Sequence, residues 1–264
     1  MSVIAEAKRV VVKVGTSTLA YENGRLNLRR VESLCRVLSD IKNSGKEVLL
    51  VSSGAIGVGA GHLGLKERPR DLGGKQAAAA VGQCELMYIY DKQFAEYGHV
   101  AAQVLLTRDV VEHEDRKRNV VNTLCRLLEY GAVPIINEND TVSTEEIEFG
   151  DNDALSALVA KLVGAQALIL LTDIDGLYDA DPRVHPDANR IPLVTAIDDD
   201  LRALAGGAGS KVGTGGMITK LHAAEIAMEA GIPMVIMDGS RPSRIYDLME
   251  GTSLGTLFLP EPKA

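Results

Sequence analysis

Gly164-Ala165-Gln166-Ala167-Leu168-Ile169-Leu170-Leu171-Thr172-Asp173 decides the fold. A glycine able to end a helix is followed by an apolar run with no polar alternation, and then by polar residues suited to a loop. Consecutive apolar positions fit a strand covered on both faces, as in the parallel sheet of an α/β protein. The same order recurs at Gly45-Lys46-Glu47-Val48-Leu49-Leu50-Val51-Ser52-Ser53, at Gly131-Ala132-Val133-Pro134-Ile135-Ile136-Asn137 and at Gly231-Ile232-Pro233-Met234-Val235-Ile236-Met237-Asp238. Lys8–Val14 reads as a further strand at the start of the chain.

Helices are expected between these strands. Val31, Leu34, Leu38 and Ile41 fall at helical spacing behind Asn27, a suitable N-cap, and the pattern stops at Gly45. Gln76–Tyr97, Arg116–Tyr130, Asp153–Val163 and Met217–Ala230 read the same way. Thr141–Gly150, acidic and alternating, and Gly176–Pro192, with three prolines, break the rhythm and read as hairpins or excursions. No repeat, low-complexity tract or Pro/Ser-rich linker divides the chain, so one continuous α/β unit is expected.

Composition narrows the function classes. With 264 residues, 46% hydrophobic and 24% charged, the chain has the make-up of a packed globular protein rather than a disordered or collagen-like one. A net charge of −8 gives nucleic acid and anionic lipid no electrostatic footprint. The longest apolar runs, such as Ala77–Val81 and Ala167–Leu171, fall far short of the ~20 residues of a membrane span, and no signal-peptide core precedes them, so a cytoplasmic location is expected. Cys35, Cys84 and Cys125 are odd in number and far apart, which fits neither a disulfide framework nor a CxxC metal knuckle; they read as buried reduced thiols.

In open α/β sheets, ligands sit beyond the carboxyl ends of the strands, where loops and helix N-termini converge. Lys13-Val14-Gly15-Thr16-Ser17, Ser52-Ser53-Gly54, Asn137-Glu138-Asn139-Asp140 and Thr172-Asp173 all fall there. Lys13 ends an apolar strand, where an ammonium is costly without an anionic partner. It is either a snorkelling edge lysine or, with the amides and hydroxyls of Gly15-Thr16-Ser17, an oxyanion site. Gly54-Ala55-Ile56-Gly57-Val58-Gly59 offers a helix N-terminus to an anion, or close helix–strand packing. Gly213-Thr214-Gly215-Gly216 leads into a helix carrying Lys220 on its first turn, either a phosphate-binding loop or a plain flexible one. In Gly150-Asp151-Asn152-Asp153 an N-cap role accounts for one carboxylate only. The chain has no GxxxxGK[ST], HExxH or GxSxG motif. Gly59-Ala60-Gly61-His62-Leu63-Gly64 matches GxGxxG, but it begins several residues past the end of the preceding strand, and Cys84 stands where a dinucleotide site needs an acid. The five histidines are scattered, none at ligand spacing to another.

Taken in order, Lys13–Ser17, Ser52–Ile56, Ile136–Asp140, Gly150–Ala157, Leu171–Asp173 and Gly213–Lys220 resemble the motifs of the amino acid kinase family over essentially the whole chain. The Asn137–Asp140 and Gly150–Asp153 pair resembles the branch of that family that phosphorylates L-glutamate. The resemblance implies a three-layer α/β/α sandwich with a mainly parallel central sheet, a single domain over 1–264. Its N-terminal half, about 1–165, would hold the acid, and its C-terminal half, about 166–264, the nucleotide. It implies ATP-dependent phosphorylation of the γ-carboxylate of L-glutamate with Mg2+, the first step of proline biosynthesis. It further implies feedback inhibition by proline and a functional partner in glutamyl phosphate reductase. Carried over by position, Ser53, Gly54, Asn137, Asp140 and Asn152 would bind glutamate. Lys13, Gly15, Thr172, Asp173, Thr214, Gly215, Gly216, Met217, Ile218, Thr219 and Lys220 would line the nucleotide site. The C-terminal PUA module carried by many members is expected to be absent.

Elementary chemistry agrees. Phosphoryl transfer needs in-line positioning and positive charge around the moving group, which Lys13 and Lys220 could supply as catalytic residues from opposite halves. Asp153 is the expected anion between them, since two like charges close together need one. A carboxylate nucleophile is already ionised at neutral pH, so no general base is required, and Mg2+ held by ATP phosphates needs no protein cage. Gln76–Tyr97 is apolar on more faces than one sheet requires, which points to a homo-oligomer. Two alternatives remain open at this stage: a sister kinase acting on N-acetylglutamate, carbamate or another small acid, and a non-catalytic nucleotide-binding sensor of the same fold.

Overall fold

The computed structural model describes residues 3–107, 110, 113–142, 152–205 and 216–261. Its strands are β1 (Arg9–Val14), β2 (Glu47–Ser52), β3 (Ala101–Leu106), β4 (Val133–Glu138), β5 (Ala167–Thr172), β6 (Leu177–Tyr178), β7 (Arg190–Ile191), β8 (Leu193–Val194), β9 (Met234–Asp238) and β10 (Thr256–Phe258). The helices are α1 (Thr16–Leu19), α2 (Leu28–Asn43), α3 (Ala55–His62), α4 (Leu72–Ala95), α5 (Glu114–Glu129), α6 (Asn152–Leu162), α7 (Asp199–Ala205), α8 (Met217–Glu229) and α9 (Arg244–Met249).

The central sheet has the order β3-β4-β2-β1-β5-β9-β10-β8, with β10 antiparallel to β9 and the other neighbours parallel. All five strands expected from the sequence are present and adjacent. The glycines that open the repeated pattern, Gly45, Gly131, Gly164 and Gly231, have φ of 91, 75, 61 and 77°, the left-handed turn that ends a helix without a Cβ penalty. Gly176–Pro192 is a hairpin built on antiparallel β6 and β7.

Side-chain alternation along each strand feeds two cores. Val10, Val12 and Val14 of β1 pack with Leu34 and Leu38 of α2, Leu86 and Tyr90 of α4 and Ile245 of α9. Val11 of β1 packs on the opposite face with Leu124 of α5, Leu155 and Val159 of α6 and Leu221 and Ala224 of α8. The result is a three-layer α/β/α sandwich, and burial on both faces is the physical reason the strands carry no polar alternation.

The start of α4 and the presence of β3 differ most from expectation. Helix α4 starts at Leu72 rather than Gln76, because the Asp71 carboxylate accepts the Gly74 N–H at 2.7 Å and caps it there. Strand β3 was not expected: it pairs with β4 alone and is half-exposed, so its sequence lacks the apolar run that marks the inner strands.

Candidate active site

The alternation that builds the cores also sorts the polar residues at the carboxyl edge of the sheet. Lys13 follows Val11 onto the face covered by α6 and α8, whereas Ser52 and Asn137 follow Leu50 and Ile135 onto the face covered by α4. The first residues of α6 join the two groups over the top of the sheet.

Asp153 is the hub of the first group. Its Oδ1 lies 2.5 Å from Lys13 Nζ and its Oδ2 lies 3.1 Å from Lys220 Nζ, with all three side chains no more than 7% exposed. Thr219 Oγ1 stands 3.2 Å from the same Oδ2 and 2.9 Å from the Gly216 carbonyl. Such charges are expensive to bury unless paired, and here one carboxylate serves two ammonium groups. Lys13 is therefore an inward-facing charge and not a snorkelling one. Asp153 is not an N-cap; it sits in the first turn of α6 and turns inward.

Asn152 is the hub of the second group. Its Nδ2 donates to Asn137 Oδ1 at 2.7 Å, Ser53 Oγ at 2.9 Å and the Ser52 carbonyl at 3.0 Å. Asn137 in turn donates to Gln83 Oε1 of α4 at 2.9 Å, and Ser52 Oγ meets the Tyr90 hydroxyl at 2.9 Å. Gly54 opens α3 at φ 107°, a conformation that favours glycine, and Ala55 to Gly57 then present first-turn amides beside Ser53, the Val58 N–H being bonded to the Gly54 carbonyl. Asp140 lies just beyond β4. Burial, reinforced by Glu138 and opposed by Arg68, pushes its carboxyl up to about 6.

The expected nucleotide side comes from the next loops. Gly15 donates its N–H to the Leu171 carbonyl at 3.3 Å, which ties the loop after β1 to the end of β5. Thr172 Oγ1 donates to Asp173 Oδ1 at 3.0 Å, and the Thr172 carbonyl accepts from Gly239 N–H at 2.7 Å. Gly216 caps α8, and Met217, Ile218, Thr219 and Lys220 form its first turn. Thr214 and Gly215 lie outside the described residues, as do Gly150 and Asp151.

The structure accounts for the GxGxxG match and corrects the expectation for the cysteines. The GxGxxG match serves helix packing: a Cβ at Gly59 would stand 1.8 Å from the Ala78 carbonyl oxygen, so α3 and α4 touch backbone to backbone there. Of the cysteines only Cys35 is buried; Cys84 is exposed on α4, and Cys125 of α5 is half-buried beside Arg9. Gln83 and Tyr90 were not anticipated as site residues. They lie seven positions apart, on one face of α4, and that spacing is the signal that could have found them.

Among the described residues no group of three or more His, Cys, Asp and Glu side chains gathers to hold a metal ion, and no helix is long and apolar enough to cross a membrane. Both oxygens of Asp153 are engaged by lysines, so this donor set fits a cation brought in on phosphate oxygens rather than one caged by carboxylates.

A parallel α/β/α sandwich with lysines from its first strand and a late helix meeting on one aspartate defines a class, and the profile of the amino acid kinase family matches residues 8–238. The chain belongs to that family. Within it, a glutamate 5-kinase of Clostridium perfringens (strain 13 / Type A) is 56% identical over 260 residues, covering 97% of both chains. A glutamate 5-kinase of Listeria monocytogenes serovar 1/2a (strain ATCC BAA-679 / EGD-e) is 55% identical over 259 residues, covering 97% of this chain and 94% of that one. Of solved structures, UMP kinase from Bacillus anthracis superposes with a TM-score of 0.66 at 17% identity over 97% of each chain. Isopentenyl phosphate kinase from T. acidophilum gives 0.65 at 19% identity over 95% of this chain and 99% of that one. At those identities the two structures speak for the fold alone.

Proposed function

We infer that this chain transfers the γ-phosphoryl group of MgATP to the γ-carboxylate of L-glutamate, giving L-glutamyl 5-phosphate and ADP, the first step of proline biosynthesis. The observation that carries the residue roles is the bridge made by Asn152 and Asp153, adjacent in sequence, between the Ser53–Asn137 pocket and the Lys13–Lys220 pair. Glutamate lies in the N-terminal half, about 1–165, held by Ser53, Gly54, Asn137, Asp140 and Asn152. ATP lies in the C-terminal half, about 166–264, against Gly15, Thr172, Asp173 and residues 214–220.

A γ-carboxylate oxygen attacks the γ-phosphorus as the bond to the ADP oxygen breaks, and no proton has to move. Lys13 and Lys220 flank the moving group and neutralise charge on its equatorial oxygens, while Asp153 fixes both ammonium groups in place. Mg2+, ligated by ATP phosphates and water, offsets the charge of the polyphosphate. Asp140 pairs with the α-ammonium. Proline carries the same α-ammonium and α-carboxylate, so it competes at this end as a feedback inhibitor. The acyl phosphate is labile, which favours a glutamyl phosphate reductase as functional partner. A cytoplasmic homo-oligomer completes the reading; Tyr88, 62% exposed on α4, is an apolar group that self-association would cover.

Incubation with MgATP, hydroxylamine and a panel of acids tests this reading. Hydroxamate should form with L-glutamate and not with N-acetylglutamate or glutarate. Phosphorylation of N-acetylglutamate or carbamate in its place, or nucleotide binding without turnover, would replace this function with that of a sister kinase or a sensor.

A further inference from the structure

Gln83 is assigned no role by the function above, yet it ends the chain of amides that leads into the acid pocket. The backbone N–H of Glu138 donates to Asn137 Oδ1 at 2.9 Å, and a backbone N–H can only donate, so the Asn137 amide has one permitted orientation. Its Nδ2 must then face Gln83, where Oε1 accepts at 2.9 Å. The consequence passes to Asn152, which presents Nδ2 to Asn137 Oδ1, Ser53 Oγ and the Ser52 carbonyl. Both amide hydrogens of Asn152 are consumed by these three acceptors. Its Oδ1 accepts from none of the described residues.

We propose that Gln83 is a positioning residue of the acid pocket: the Glu138 N–H and the Ser52 carbonyl set the polarity of the two amides, and Gln83, by anchoring Asn137, fixes the line along which Asn152 turns its oxygen toward the substrate. The inference rests on the placement of glutamate beside Asn152. An acceptor at that position matches an α-ammonium, which can only donate, and it supplements the charge of Asp140. Ser53 is fixed in the complementary sense. Its Oγ accepts from Asn152, so its proton is left to donate to a carboxylate. One helix face thus discriminates between substrates with and without an amino group, without touching them. With an apolar group at position 83 the Asn137 Nδ2 loses its acceptor and the amide can tilt, carrying Asn152 Oδ1 off its line to the ammonium.

The test compares Gln83→Leu, Gln83→Glu and Asn152→Ala in the full chain, with Gln83→Met standing in for Gln83→Leu should the latter not fold. Gln83→Leu should raise the KM for glutamate about tenfold, the scale of one lost orienting hydrogen bond together with a misdirected amide, and leave the KM for ATP in place. It should also lower the preference for glutamate over glutarate. Gln83→Glu keeps an acceptor facing Asn137 and should rescue both. A purely structural role for Gln83 would instead move both KM values and the unfolding temperature while leaving the glutamate-to-glutarate ratio alone, and would overturn the proposal. If Asn152→Ala raises the glutamate KM but Gln83→Leu does not, the relay is wrong and the site stands. If Asn152→Ala leaves the glutamate KM unchanged, the placement of glutamate fails and the relay falls with it.

Discussion

A lysine at the end of an apolar strand has an ambiguous meaning until the partner is seen, and Lys13 finds it 2.5 Å away on Asp153. The pair is dry, so loss of the ammonium removes a preorganised charge where water cannot substitute for it. Lys13→Ala should reduce turnover by about 10²–10³-fold, with a smaller change in glutamate KM; a folded variant with near-normal turnover would dismiss it as a phosphoryl-stabilising group. Asp140 makes a different prediction, because its carboxyl is pushed up to about 6, by burial first and by Glu138 second. Pairing with an α-ammonium needs the ionised form. The KM for glutamate should therefore rise as the pH falls through about 6, well above the γ-carboxyl of free glutamate near 4.3, while the KM for ATP stays flat. The stability linkage has the opposite sense: the folded state binds this proton more tightly than the unfolded chain, so this group lowers stability as the pH rises from 3.8 through about 6. Asp140→Asn should abolish the pH dependence of glutamate KM and raise KM at neutral pH. A wild-type KM that is constant between about pH 5 and pH 8 would remove Asp140 from the ammonium site.

At the scale of elements, α3 and α4 touch backbone to backbone at Gly59 and Gly82. A Cβ at Gly82 would stand 1.8 Å from the Ala55 carbonyl oxygen and 2.5 Å from Gly59 N, both backbone atoms that cannot rotate away. Gly82→Ala should destabilise the fold by at least about 1–3 kcal/mol, the range for overpacking, read as a lowered unfolding temperature. It should also disturb Gln83 next to it and with it the glutamate KM; unchanged stability would mean the helices can part without cost. This contact explains what the sequence could and could not reveal. The inner strands were legible because burial on both faces forces uninterrupted apolar runs, and Asn27 was legible as a cap because its side chain accepts the Arg30 N–H at 3.2 Å. Strand β3 was illegible because an edge strand escapes that constraint. The glycines of α3 matched a nucleotide motif because backbone approach demands the same residue whether the visitor is a phosphate or a helix. Lys13, Lys220 and Asp153 could be named from sequence, since charges in apolar contexts must find one another. Gln83 carried only its helical spacing to Tyr90 as a signal, because its role depends on which way the Asn137 amide points, a detail set by the N–H of the next residue of β4, Glu138.

Across the whole molecule the Asn152 and Asp153 clusters sit on opposite faces of one sheet edge, and among the described residues the first turn of α6 joins them. Asn152 serves the face covered by α4 and Asp153 the face covered by α8, so the first turn of α6 is where occupancy of one half can be felt by the other. Hydrogen exchange with each ligand alone should map this division. Glutamate should slow exchange at Ser53–Ile56 and at Asn139 and Asp140, and ATP at Gly206–Gly216 and the start of α8, as the proposed division of the site requires. The backbone amides at the start of α6 should be protected by either ligand, because the turn carries one residue of each half-site. Together the ligands should protect that turn more than either does alone, as both its side chains are then held. Protection of Gly206–Gly216 by glutamate alone would place that loop in the acid half and overturn the division. A start of α6 that responds to ATP but never to glutamate would break the bridge between Asn152 and the acid, leaving Asp153 as a feature of the nucleotide half only.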